Sequence, residues 1–288
     1  MSSSFLSTYG LPGVLIIIMF GIGLSLERKD FENVFRYPKP ILIGLFSQMV
    51  LLPVIAFILV SFSSLSPAIK VGFIVIAACP GGSASNLINH LLRGNVALCV
   101  SLTALNSLLI QITLPLLVNL GLILFMGHSE DISLPVWETI FKIFFVTLLP
   151  TFAGVYLRAK YFKLAIRLVR PMKVIMTMLL FTVFAAIVLT EESSSQESIF
   201  EYSFILPYAL ALNVGAMLAG YFFAKMQGLD NRNNYTISIE VGLQNSALAL
   251  YVTGSLLHSK EMTIVAVAYS SFTFFSTFLF GFLAKKLG

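Results

Sequence analysis

Residues 239–248 read Ile-Glu-Val-Gly-Leu-Gln-Asn-Ser-Ala-Leu and lie in an apolar run long enough to span a bilayer. A carboxylate at that depth costs at least about 2.5–3.5 kcal/mol, so Glu240 needs a partner. Gln244 and Asn245 add amides, and backbone freed around Gly242 can expose the carbonyls of Val241 and Leu243. Carboxylate, amide and carbonyl oxygens form a hard-oxygen cage suited to a hard cation such as Na⁺. A protonated Glu240 bonded within the bundle, or a proton relay, is the alternative.

A second interruption stands at Cys79-Pro80-Gly81-Gly82-Ser83-Ala84-Ser85-Asn86. Pro80 removes an amide donor and clashes with the preceding turn, and Gly81 and Gly82 permit unwinding. Ser83, Ser85 and Asn86 are suited to cap the half-helix that follows. The N-terminus of such a half-helix offers free N–H groups and positive partial charge to an anion, for example a carboxylate. A lone proline would mark only a kink. Pro-Gly-Gly followed by polar residues, and echoed in a second span, points to a site.

Composition dictates what must position these residues. The chain has 288 residues, is 58% hydrophobic and 11% charged, and has a mean hydropathy of +0.93. Soluble domains carry roughly 25% charged residues. Long apolar runs recur throughout, so the expected class is an all-α polytopic membrane protein rather than a barrel of short alternating strands. The net charge of +5 is therefore read by position and implies no nucleic-acid partner. Cys79 and Cys99 both lie in apolar segments and form no disulfide framework or metal spacing. The N-terminus lacks the basic region of a secretory signal, so the first apolar segment is expected to be retained.

Nine spans are expected, at about 11–26, 40–62, 69–92, 96–126, 136–157, 174–189, 204–223, 235–257 and 262–283. Arg28, Lys29, Arg36, Lys39, Arg93, Arg158, Lys160, Lys163, Arg167, Arg170, Lys173, Lys225, Arg232, Lys285 and Lys286 then fall on one side. They are fifteen of the eighteen basic residues. The positive-inside rule places the N-terminus outside and the C-terminus in the cytoplasm, with Glu130, Asp131, Glu191, Glu192 and Glu197 on the outer face. Aligning the two interrupted spans gives an inverted repeat of about 11–126 and 174–283, with 136–157 unmatched. Paired interruptions in two halves are the best sequence pointer to a transporter site. Gln48, Thr103, Asn106 and Gln111 are further polar residues inside spans. No nucleophile–base pair or paired carboxylates occur within the spans, so no enzyme is expected.

Cys-Pro-Gly-Gly-Ser-Ala-Ser-Asn (79–86), Arg-Gly-Asn-Val-Ala-Leu (93–98) and Glu-Val-Gly-Leu-Gln-Asn-Ser-Ala-Leu-Ala (240–249) resemble the signatures of the bile acid:sodium symporter family. Met-Phe-Gly-Ile-Gly-Leu-Ser-Leu (19–26) and Gln48 also fit, and the resemblance covers nearly the whole chain in a nine-span form. It implies a panel domain and a core domain, with the core at about 69–126 and 235–283 and two broken helices crossing near the midplane. It also implies two sodium ions as coupling ions and no cofactor. The first site would use Ser85, Asn86, Thr103 and Glu240, and Cys99 stands where the family commonly has a serine hydroxyl. The second would use Gln48, Glu240, Gln244 and the carbonyls of Val241 and Leu243. An organic anion, a bile acid or a smaller acid, would meet the crossing near Ser83, Asn86 and Asn245. The implied function is sodium-coupled symport by alternating access in the inner membrane of a bacterium, with no obligate protein partner. The alternative on the same scaffold is a proton-coupled or uncoupled anion exporter.

Overall fold

A computed structural model describes residues 6–27, 29, 32, 36–127, 136–194 and 199–287. The described residues are helical, with a single bridged pair of residues in extended conformation. A π-helical turn leads into α1 (Leu11–Ser25), and α2 is Pro38–Ser61. Next come α3 (Pro67–Ala78) and α4 (Ser83–Leu91), two halves of one interrupted span, then α5 (Val96–Met126). The chain continues through α6 (Trp137–Lys160), α7 (Phe162–Ser194) and α8 (Ile205–Met226). A second interrupted span, α9 (Asn231–Gly242) and α10 (Ser246–Leu256), precedes α11 (Lys260–Lys286).

Among the described residues, six stretches are long and apolar enough to cross a membrane: Thr8–Ser25, α2, α5, α6, Tyr202–Met226 and α11. The molecule is thus an integral, multi-pass membrane protein. Both interrupted spans fall outside that set, because each half is short. The approach to each break is nonetheless buried throughout. Every residue from Val71 to Gly82 and from Asn234 to Asn245 is buried. The unbroken helices instead turn large apolar side chains outward, as Leu42, Phe141, Phe181 and Phe275 do. That outward apolar surface suits hydrocarbon and would be an association liability in water.

Two packing groups are evident. α6 and α7 pack on α1, while α2, α5, α8 and α11 surround the interrupted helices. In the first group Thr151 Oγ1 donates to the Met19 carbonyl at 3.3 Å. Arg158 donates to the Leu24 carbonyl at 2.9 Å and pairs with Glu27. Lys29 and Arg158 together hold the Glu27 carboxyl below its usual range.

Several boundaries differ from the expected ones. The interval of basic residues between the fifth and sixth spans is not a loop. α6 runs to Lys160, Tyr161 alone forms the corner, and α7 carries Lys163 to Lys173 as helix. Lys and Arg are good helix formers, and their long stems keep the charge in water, so an apolar count stops short of the true helix. Pro53 and Pro150 each follow a π-helical turn, Ser47–Leu51 and Phe144–Leu148. The wider turn makes room for a ring that would otherwise meet the preceding carbonyl. Arg28, His128, Glu130, Asp131 and Glu197 lie outside the described residues, as do the side chains of Ser83, Glu191 and Glu192.

Candidate functional site

The two interruptions meet. Gly81 and Gln244 form an antiparallel bridge. Gly82 N–H donates to the Leu243 carbonyl at 3.1 Å, and Asn245 N–H donates to the Pro80 carbonyl at 2.8 Å. Each unwound segment thereby satisfies backbone groups that have no helical partner, which buried backbone requires. The second break falls at Leu243–Asn245 rather than at Gly242, which is the last residue of α9. Gly242 answers a close approach instead. A Cβ there would collide with Met217 and with the Thr277 hydroxyl.

Gly81 has the same kind of role on the other strand. A Cβ at Gly81 would overlap the Glu240 carboxylate. That carboxylate is 1% exposed. Its Oε2 accepts from Ser85 Oγ at 2.5 Å and from Cys99 Sγ at 2.9 Å, and its Oε1 accepts from Thr103 Oγ1 at 2.7 Å. So α4 and α5 supply three donors, two hydroxyls and a thiol, to an acid on α9.

Each hydroxyl has a second acceptor within reach. Ser85 Oγ lies 2.7 Å from the Gly82 carbonyl and Thr103 Oγ1 lies 3.0 Å from the Cys99 carbonyl. A hydroxyl has one proton and two lone pairs. Turning those protons to the backbone carbonyls would free hydroxyl lone pairs on either side of the carboxylate. The same cluster can therefore hold the acid by hydrogen bonds or offer oxygen ligands to a cation. Asn89 steadies it, donating from Nδ2 to the Ser85 carbonyl and to Cys99 Sγ, each at 3.1 Å.

On the α2 side, Gln48 sits in the π-helical turn before Pro53. Its Nε2 donates to the Cys79 carbonyl at 3.1 Å and to Gln244 Oε1 at 2.7 Å. Gln244 Nε2 in turn donates to the Val241 carbonyl at 2.5 Å. Gln48, Gln244 and Val241 thus form one chain across the crossing, and the Leu243 carbonyl is used by Gly82.

The capping expectation is corrected for the first half-helix. The residue before α4 is Gly82, with no side-chain cap, and Ser85 turns to Glu240. Asn86 leaves its Oδ1 buried with no hydrogen-bond partner among the described residues. The second half-helix is capped by its own chain, since Asn245 Oδ1 accepts from Leu248 N–H at 3.1 Å.

Sequence reasoning missed Asn89 and the brace behind the second break. Asn213 Nδ2 and Tyr269 OH donate to the Gly242 carbonyl at 2.7 and 3.1 Å, and Ser276 donates to Asn213 Oδ1 at 2.7 Å. Asn213 is a strongly polar residue in the middle of α8, and that was a readable signal.

Comparison with known proteins gives concordant matches. The Sodium Bile acid symporter family matches residues 12–197. An uncharacterized sodium-dependent transporter of Bacillus subtilis is 31% identical over 233 residues, covering 81% of this chain and 70% of its own length. A probable sodium/metabolite cotransporter of Arabidopsis thaliana chloroplasts is 30% identical over 257 residues, 89% of this chain and 62% of that protein. The ileal sodium/bile acid cotransporter of Oryctolagus cuniculus is 26% identical over 284 residues, 96% and 77% of the respective chains. The chain thus spans less than two thirds of the Arabidopsis relative.

Proposed function

The chain belongs to the sodium bile acid symporter family, and on that premise we propose that it is a secondary transporter coupling Na⁺ to an organic anion. The observation that carries this reading is Glu240. A fully buried carboxylate at the crossing of two broken helices is held by two hydroxyls, which can turn their oxygens to a cation, and by one thiol.

Two cargo ions are assigned. The first takes Ser85, Asn86, Thr103 and Glu240, with Cys99 beside it. The second takes Gln48, Glu240, Gln244 and the carbonyls of Val241 and Leu243. Sodium neutralises Glu240 and ties the crossing segments together. The N-terminal ends of α4 and α10 then face the substrate anion, with Ser83, Asn86 and Asn245 nearby. Because Asn245 Oδ1 is used as a cap, that side chain offers the anion its amide N–H groups. Ion and substrate favour the same conformation, so each tightens the other.

For the architecture we adopt nine spans in an inverted repeat, N-terminus outside, with a core at 69–126 and 235–283. The packing supports adding α2 and α8 to that core, and α1, α6 and α7 form the panel. Alternating access is relative movement of these two bodies.

A thermal-unfolding screen of organic anions with and without Na⁺ tests the reading. Stabilisation by an anion only when Na⁺ is present is the expected result. Transport into liposomes that follows a proton gradient and ignores Na⁺ would replace it with the exporter alternative.

Two further outcomes concern the ions. Cys99→Ser exchanges a soft thiol for a hard oxygen beside Glu240. A gained ligand worth about 1 kcal/mol raises apparent sodium affinity about fivefold. An unchanged sodium titration in this variant removes Cys99 from the first site. Gln48→Ala and Gln244→Ala each weaken sodium affinity and disturb sodium-independent flux less. Uptake measured at graded Na⁺ distinguishes the two effects, and equal loss at saturating Na⁺ rejects the assignment.

A further inference from the structure

Asn106 is fully buried on α5, and both of its amide atoms have no hydrogen-bond partner among the described residues. Gln48 is 3% exposed, and its Oε1 is likewise unpartnered. The two residues line one small cavity of about 10 Å³, which also touches Ala77, Ala78 and Cys79 at the C-terminal end of α3. Buried polar atoms without partners are costly, and two such side chains at one cavity call for a polar occupant. The space suits a particle no larger than one water.

The surrounding chemistry selects the occupant. The end of α3 carries negative partial charge. There the Ile76 carbonyl accepts from Cys79 N–H and the Cys79 carbonyl accepts from Gln48 Nε2, whereas the Ala78 carbonyl loses its helical donor because Gly82 N–H goes to Leu243. Gln48 Nε2 is committed to Cys79 and Gln244, so its oxygen remains for a ligand. The lining supplies neutral oxygens and no carboxylate, which fits a monovalent rather than a divalent cation.

We propose that Gln48 Oε1, Asn106 Oδ1 and the C-terminal end of α3 form a monovalent-cation site, which sodium occupies on the α5 side of the crossing. It shares Gln48, whose amide oxygen has two lone pairs, with the set that uses the carbonyls of Val241 and Leu243, and it makes Asn106 an ion ligand. The proposal rests on sodium being the coupling ion.

The test is a sodium titration of thermal unfolding on the purified full chain, with choline chloride holding ionic strength constant. Asn106→Leu has similar volume and removes two unsatisfied polar atoms. Its unfolding temperature in choline should therefore equal or exceed that of the unsubstituted chain. Its midpoint for Na⁺ should rise about tenfold, the scale for loss of a residue supporting a metal site. Asn106→Asp adds a charge to the same place and should lower the midpoint.

A midpoint for Asn106→Leu within about twofold of the unsubstituted chain overturns the proposal, since the measurement resolves that ratio. So does Asn106→Asp raising the midpoint as leucine does, because the residue would then act through packing alone. If Glu240→Gln loses the sodium response while Asn106→Leu keeps it, the coupling reading stands and only this site falls. If the unsubstituted chain shows no sodium response, both fall.

Discussion

Glu240→Gln is expected to abolish sodium-driven uptake and still give a folded protein. Glutamine keeps the length and burial of the side chain, and Ser85 and Thr103 can turn to suit an amide, since each has a backbone acceptor within reach. What disappears is the negative charge. Leaving a buried cation without its counter-charge costs about 3–5 kcal/mol, on the order of 10²- to 10⁴-fold in affinity. Unfolding without Na⁺ should move little or upward, because an expensive buried charge has gone, whereas the stabilisation by Na⁺ should vanish. Sodium-driven accumulation in Glu240→Gln liposomes at the unsubstituted rate would sink the assignment. Glu240→Ala should also be inactive, but it removes the acceptor for Ser85, Cys99 and Thr103, so it tests packing and charge together.

Glu240 and the two breaks were legible because they violate the rule that surrounds them. In an otherwise apolar chain, a carboxylate, Pro-Gly-Gly and clustered amides stand out without reference to structure. The helical, membrane-spanning class was legible for the complementary reason. Less visible was everything decided between segments. Glu240 finds Thr103 across 137 residues and Cys99 across 141. No local pattern announces such pairs. The brace on Gly242 needs Asn213, Tyr269 and Ser276 from two other helices. A hydroxyl in a membrane helix usually just bonds the preceding turn, so Thr103 was ambiguous until its partner was known. Helix ends were misjudged where charge begins, as at Lys160 and Phe162, because apolar length marks the membrane and not the helix.

The contrast between neighbouring glycines gives the second large effect. Gly81→Ala is expected to lose sodium coupling, and Gly82→Ala to keep it. An added methyl at Gly81 overlaps the Glu240 carboxylate. Either the carboxylate swings away from Ser85, Cys99 and Thr103, or the crossing strands part and break the bonds from Gly82 to Leu243 and from Asn245 to Pro80. Loss of even one hydrogen bond to a charged group costs about 1.5–3 kcal/mol, which lowers sodium affinity about 10- to 100-fold. At Gly82 the nearest atoms to an added Cβ are the Gln244 carbonyl at 3.5 Å and Asn245 Cα at 3.9 Å, ordinary contacts. Its backbone angles, φ −100° and ψ 170°, are open to alanine. Sodium titrations of the two variants separate the possibilities. Equal impairment would mean the break needs two glycines merely to unwind. A deficit confined to Gly81→Ala would mean that one glycine exists to let the carboxylate reach its partners, so that break and acid form a single device.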